Sequence, residues 1–321
     1  MEPTREGEMD LCLMIEGQEG VSWQQWVALA QACERHGIPA LFRSDHYMNL
    51  DGRHPDRSAL DAWGTISALA AVSTSLRLGT MVSPATFRHP SNLAKLVTTA
   101  DHISGGRIEL GLGAGWHERE HEAYGFPFPP TRVRMQMLEE QLQVVLGSWS
   151  QEPFSLSGEH YQLRELDARP KPLQRPHPPL IIGGTAGPRS AALAARFADE
   201  YNTVFPTLEE VRERRERVAH ACEQAGRDPL PFSIMTGVLV GADAGELRTR
   251  AGRLAAKLGS DVDQFLAEPP PGWIVGELEQ AAEQLVALRD AGVSRVMCQH
   301  LLHDDLEAVA VIGERLAPLV A

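Results

Sequence analysis

The chain has 321 residues, 43% of them hydrophobic and 23% charged, and carries a net charge of −13. That length and apolar content suffice for a large core, and barrels of alternating strands and helices typically run to about 250 residues or more. The acidic balance argues against nucleic acid, which requires clustered Lys and Arg, and no apolar run reaches the length of a membrane span.

Short apolar runs alternate with longer amphipathic ones along the whole chain. Leu11 to Ile15 reads as a first strand, followed by a helix from Trp23 to His36 that stops at Gly37. Ile38 to Phe42 is a second strand, with a helix from about Ala59 to Val72. Leu76 to Val82 is the third, with a helix from Pro90 to Ile103. Arg107 to Leu112 is the fourth, with a long helix from Thr131 to Trp149.

Residues 151–178 break the rhythm. Phe154 to Leu163 has the look of a small hairpin turning at Gly158, and Arg169 to Pro179 is a proline-rich extended segment, so an insertion on a regular scaffold is expected. The alternation then resumes. Pro179 to Ile182 is strand five with helix Pro188 to Ala198, and Tyr201 to Phe205 is strand six with helix Leu208 to Ala225. Phe232 to Val240 is strand seven with helix Glu246 to Leu258. A helix from Gly276 to Ala291 precedes strand eight, Val293 to Cys298, and Leu306 to Leu319 closes the chain. Eight such units without a change of composition predict one α/β domain over residues 1–321, a closed (β/α)8 TIM barrel. An open doubly wound sheet would want a glycine-rich turn straight after strand one, and the Gly17 to Gly20 spacing does not fit it.

Cys12, Cys33, Cys222 and Cys298 are scattered without a C-x-x-C pair, which suits buried thiols in a reducing compartment. Met1 to Asp10 is polar and acidic and lacks the features of a signal peptide. A soluble, cytoplasmic protein is expected.

Active sites of such barrels are built at the C-terminal ends of the strands. Strand one ends at Glu16, an acidic candidate. Strand two ends at Ser44-Asp45-His46, where His46 is a candidate acid or base and Asp45 its orienter. The alternative is a hydrogen-bonded structural histidine. Strand four ends in Gly113-Ala114-Gly115-Trp116, where bare backbone suits a flat aromatic ligand or, alternatively, barrel curvature. Strand five runs through Ile182-Gly183-Gly184-Thr185 into a helix starting at Pro188. Glycines and a helix N-terminus suit a phosphate there; a tight turn that binds nothing is the alternative. A hydrolytic metal site is not expected. Met14-Ile15-Glu16 stands where barrel hydrolases commonly carry two histidines, and His54, His117, His121 and His303 show no ligand-like convergence.

Taken in order, several stretches resemble the luciferase-like monooxygenase superfamily, and within it the branch that depends on the deazaflavin coenzyme F420. They are Phe42 to His46, Leu78 to Pro84, Gly111 to His121 continuing through Tyr124-Gly125, Arg169 to Leu173 leading to Ile182 to Thr185, and Gly292 to Val296. The resemblance implies a homodimeric barrel with the tricyclic ring deep in the mouth, beside Asp45 and His46. It implies a non-proline cis peptide at Met81–Val82 supporting that ring, and glycine-rich cofactor contacts at Gly113, Ala114, Gly115, Gly183, Gly184 and Thr185. One position departs from the pattern: some deazaflavin dehydrogenases carry a catalytic Glu directly after the strand-four glycines, and this chain has Trp116.

The implied activity is hydride transfer between F420 and a small organic substrate, with His46 handling the proton. The alternative keeps the site and uses FMN, as a monooxygenase fed with reduced cofactor by a flavin reductase. A barrel that binds flavin without turnover is the third reading.

Overall fold

The structure is a computed structural model that describes residues 9–50, 54 and 56–320. Most of the acidic N-terminal stretch, residues 1–8, therefore lies outside the described residues. The first half comprises β1 (Asp10–Ile15), α1 (Trp23–Arg35), β2 (Ala40–Arg43), α2 (Ala62–Val72), β3 (Arg77–Thr80), β4 (Ser83–Pro84), α3 (Pro90–Ser104), β5 (Ile108–Gly113), α4 (Glu118–Tyr124) and α5 (Thr131–Trp149). The insertion follows as β6 (Phe154–Ser157) and β7 (Gln162–Leu166). Then come β8 (Leu180–Gly183), α6 (Pro188–Phe197), β9 (Glu200–Val204), α7 (Leu208–Gln224), β10 (Phe232–Gly241), α8 (Ala244–Leu258), α9 (Val262–Ala267), β11 (Ile274–Glu277), α10 (Leu278–Asp290) and β12 (Arg295–Gln299). The last helical segment is α11 (Leu306–Ala310), a π-helical stretch (Val311–Leu316) and α12 (Ala317–Val320).

Parallel pairing runs β12-β1-β2-β3-β5-β8-β9-β10, and β10 pairs with β12 to close the ring, as expected for a (β/α)8 barrel. β4 carries the line of β3 onward beside β5, after a cis peptide at Met81–Val82. The third strand therefore ends at Thr80, earlier than the apolar run suggests. β6 and β7 form the antiparallel hairpin expected in the insertion. Three elements escaped the sequence reading: α4 and α9 are helices of seven and six residues, too short to show a period, and β11 adds to the upper part of β10 outside the ring. Among the described residues no helix is long and apolar enough to cross a membrane.

Residues of alternating parity divide between two cores. Leu11, Leu13 and Ile15 of β1 face the helices in the large outer cluster, whereas Cys12 and Met14 join Phe42, Met81, Ile181, Met235 and Met297 inside the barrel. All four cysteines are free and buried. Beneath this apolar layer, at the N-terminal ends of the strands, lies a charged one. Arg295 Nη1 and Nη2 donate to Glu109 Oε1 and Oε2 at 3.2 and 2.9 Å, and Nη2 lies 3.2 Å from Glu200 Oε2. Arg77 Nε donates to Glu109 at 2.6 Å. Burial opposes the charge on Glu109, but the two guanidiniums prevail and hold its pKa down to about 2.

Removing one partner of a buried pair leaves the other uncompensated. Glu109→Gln is expected to lower the unfolding free energy by about 3–5 kcal/mol, read from urea denaturation; an unchanged midpoint would remove the charged layer from the account of stability.

Candidate active site

The barrel's C-terminal mouth opens into a cavity of about 740 Å³, within the range of small-molecule sites. Glu16, His46, Met81, Val82, Gly113, Ala114, Gly115, Trp116, Gly183, Gly184 and Thr185 all line it. Ile182 does not: its neighbours on β8 point inward, so its own side chain packs into the outer core.

His46 follows β2, and its Nδ1 is 2.7 Å from Glu120 Oε2. Glu120 is buried on the first turn of α4, and its other oxygen accepts the Tyr47 backbone N–H. With Nδ1 so held, His46 Nε2 has no hydrogen-bond partner among the described residues. Burial works against the charged ring, yet the hydrogen bond and charge of Glu120, with Glu16 and Asp45 further off, hold the His46 pKa above its ordinary value. Burial likewise opposes the Glu120 charge, and His46 and the Tyr47 N–H overcome it to lower that pKa.

The orienting role expected of Asp45 belongs to Glu120. Asp45 Oδ2 accepts from Ser83 Oγ at 2.6 Å and Arg88 Nη1 at 2.5 Å, which turns the carboxylate away from His46 and into the wall. His117 also corrects the reading that the histidines do not converge. Its Nδ1 lies 3.5 Å from Glu120 Oε2, and His46, His117 and Glu120 bring ligand-type atoms within 4.8 Å of one another. The short helix α4 causes this by carrying Glu120 back over the loop. Glu120 is already engaged with His46 and so orients that ring, while His117 Nδ1 is buried without a hydrogen-bond partner among the described residues.

Glu16 accepts from Gln299 Nε2 at 2.7 Å and Gln18 Nε2 at 2.8 Å, and Gln18 in turn accepts from Ser44 Oγ. Its carboxylate is thus fixed at the cavity edge. Trp116 is 63% exposed and meets His46 edge-on, with centroids 5.9 Å apart.

On the β5 and β8 side the wall is glycine backbone with the Val82 side chain packed on it. A Cβ at Gly113 would lie 2.8 Å from Val82 Cγ2, one at Gly183 2.9 Å from Val82 Cγ1, and one at Gly111 only 2.1 Å from Thr80 O. The glycines therefore make room for the Val82 side chain, which seats on their backbone and joins them in lining the cavity. Past Gly183 the chain enters α6 with Gly187 as N-cap and Pro188 at its start. Two loop N–H groups are already engaged, Gly184 with Asn202 O at 3.0 Å and Ala186 with Tyr201 Oη at 2.7 Å. Thr185 and the first turn of α6 supply what remains for an anion.

Sequence reasoning missed Glu120, His117, Asn202, Arg57 and Lys257. The last three also line the cavity. Arg57 pairs with Glu19, and Lys257 Nζ donates to Leu301 O at 2.7 Å.

A parallel (β/α)8 barrel with a glycine-walled mouth and an acid-oriented histidine is the architecture of a cofactor-dependent enzyme. The chain belongs to the luciferase-like monooxygenase family, whose pattern it matches over residues 11–295. It is 28% identical over 323 residues to an FMNH2-dependent dimethylsulfone monooxygenase of Pseudomonas putida, covering 91% of this chain and 86% of that one. It is 28% identical over 258 residues to an F420-dependent hydroxymycolic acid dehydrogenase of Mycobacterium tuberculosis, covering 80% of this chain and 68% of that one. Among solved structures, an F420-dependent secondary alcohol dehydrogenase in complex with an F420-acetone adduct superposes with a TM-score of 0.80 at 18% identity, over 98% of this chain and 99% of that one.

Because the Glu120 carboxylate holds the His46 pKa up, Glu120→Gln is expected to lower it. The check is the NMR titration of the His46 ring in both proteins; an unmoved midpoint would dissolve the pair.

Proposed function

We propose that the protein is an F420-dependent oxidoreductase acting on a small organic substrate at the barrel mouth. The observation that carries this reading is His46, with Nδ1 locked on Glu120 and its ring lining the same cavity as the glycines of β5 and β8. The residues suit the cofactor on three counts. Val82 seated on Gly113 and Gly183 presents a short apolar surface for a planar ring. Thr185 and the start of α6 offer N–H groups and a helix dipole for a phosphate. The cavity has room for ring and substrate together.

When bound, the deazaflavin supplies or accepts a hydride. The protein's own task is position and the proton. Reduction of the substrate consumes one hydride and one proton, and His46 Nε2 delivers the proton to the substrate; oxidation returns it to the same atom. The raised pKa keeps the ring charged to higher pH than an ordinary histidine. Reduction therefore falls as pH rises through the His46 pKa, and in Glu120→Gln that fall moves to lower pH. Glu16, tethered by Gln18 and Gln299, adds a fixed negative charge near the proton path. Trp116 gives the entrance an apolar face.

His46→Ala is expected to lower kcat roughly 10²- to 10⁴-fold while F420 still binds. Full turnover with cofactor bound would remove His46 from the chemistry.

A second reading is favoured by the length of the match to the FMNH2-dependent relative, 91% of this chain. There the same wall holds FMN, a flavin reductase is the partner that supplies it reduced, and oxygen is the co-substrate. Titration with both cofactors, followed by fluorescence quenching, separates the two. Tighter binding of F420 and no oxygen uptake with reduced FMN are expected; substrate-dependent oxygen uptake with reduced FMN would reverse the order.

A further inference from the structure

The cavity floor contains a polar atom that the hydride reading leaves unused. Asn202 lies on β9, in register with Gly183 of β8, and is 1% exposed. It shares its inward parity with Glu200 below and Val204 above, and it lines the cavity. Its Oδ1 is buried without a hydrogen-bond partner among the described residues. A buried carbonyl oxygen left unpaired costs about 1–3 kcal/mol, so such atoms call for an explanation.

Which atom of the amide is left unpaired is settled by its neighbours. Asn202 Nδ2 donates to Ser233 Oγ at 2.8 Å and lies 3.8 Å from Met297 Sδ. A thioether sulfur only accepts, so the atom set between Ser233 and Met297 is the NH2 group. Ser233 in turn donates to Glu200, which sits beside Arg295 in the charged layer. The chain of donors therefore runs from Asn202 down to the charged layer, and Oδ1 is the unpaired atom of a residue that lines the cavity. A ligand there must bring an N–H or O–H.

We propose that Asn202 Oδ1 accepts a hydrogen bond from the imide N–H of the cofactor's pyrimidine ring, and so determines which edge of the ring lies against β9. This rests on the flavin-type reading of the site. In flavins and deazaflavins alike, the oxidised pyrimidine ring has carbonyl oxygens on both sides of N3, and N3–H is its donor. A single acceptor at that point fixes the ring's rotation without touching the reacting carbon, and it serves either cofactor. Asn202 is thus a positioning residue.

The test uses the full chain and four probes: FMN and 5-deazariboflavin 5′-phosphate, each beside its N3-methyl derivative, titrated by fluorescence quenching. N3-methylation is expected to weaken wild-type binding roughly tenfold, the worth of one buried hydrogen bond. Asn202→Ala is expected to weaken the unmethylated ligands by a similar factor and to abolish the methylation penalty. Bound [15N]FMN should show a slowly exchanging N3–H resonance in the wild type and lose it in the variant. Wild-type tolerance of the N3-methyl ligands, or a methylation penalty undiminished in Asn202→Ala, overturns the proposal while leaving the cofactor reading intact. Failure of FMN and deazaflavin alike to bind the wild type overturns both. The wild-type comparison and resonance decide the matter without the variant, should Asn202→Ala fold poorly.

Discussion

The guanidinium of Arg295 is the interaction on which the barrel interior is registered. It is buried, grips Glu109 on the opposite strands through two hydrogen bonds, and lies within reach of Glu200. Two carboxylates around one cation form an unequal pair. Glu109, with Arg77 as second partner, stays ionised to low pH, whereas burial and the Glu109 charge raise the Glu200 pKa against the pull of Arg295. Such a layer needs geometry more than it supplies stability, because desolvation offsets much of the attraction. What it provides is direction: four strands are pinned at their N-terminal ends, and the hydrogen-bond polarity is passed up through Ser233 to Asn202. Above it, the methionines and Phe42 fill the middle of the barrel, so the cavity begins at a fixed height.

The mouth obeys a different constraint, which is the absence of a Cβ where Val82 packs on β5 and β8. Val82 presses against the glycines of β5 and β8 so closely that no Cβ fits at either contact. A planar ring at this wall would meet the Val82 side chain and glycine backbone, contacts that do not depend on whether the ring atom opposite is carbon or nitrogen. Such a wall is compatible with family relatives named for FMNH2 and for F420 alike.

The fold was legible because each barrel strand is buried on both faces and reads as a continuous apolar run, while its helix keeps a 3.6-residue period. Thr131–Trp149 was placed to the residue, and the hairpin at Phe154 to within a few. What escaped was short or lay beside the ring rather than within it: α4, α9 and β11. In the site, the rule that loops follow strand ends led to Glu16, His46 and both glycine clusters. It failed for Asp45, because the partner of a mouth histidine is decided in space; Glu120 lies 74 positions away. Asn202 was overlooked inside Tyr201 to Phe205, read simply as a strand. Its signal was parity: a polar residue two positions after Glu200 must share the inward face.

Trp116 and Glu120 stand four residues apart on the segment that follows β5. Where some deazaflavin dehydrogenases set a carboxylate immediately after the strand-four glycines, this chain sets an indole and brings its carboxylate four residues later, on the first turn of α4. A carboxylate at the strand end would face the substrate directly. On the helix it faces the back of His46 instead, and its charge reaches the cavity only through the imidazole. With Nδ1 held by Glu120, Nε2 is the ring nitrogen of His46 left without a partner among the described residues, and the residue after the glycines is an exposed indole. Such an entrance disfavours a heavily charged substrate on the Trp116 side. The cations that remain, Arg57 and Lys257, stand elsewhere on the cavity wall, one paired with Glu19 and the other tied to a carbonyl. The mouth is therefore asymmetric, with glycines and Val82 on the β5 and β8 side, one histidine oriented by Glu120, and the exposed indole of Trp116 at its edge.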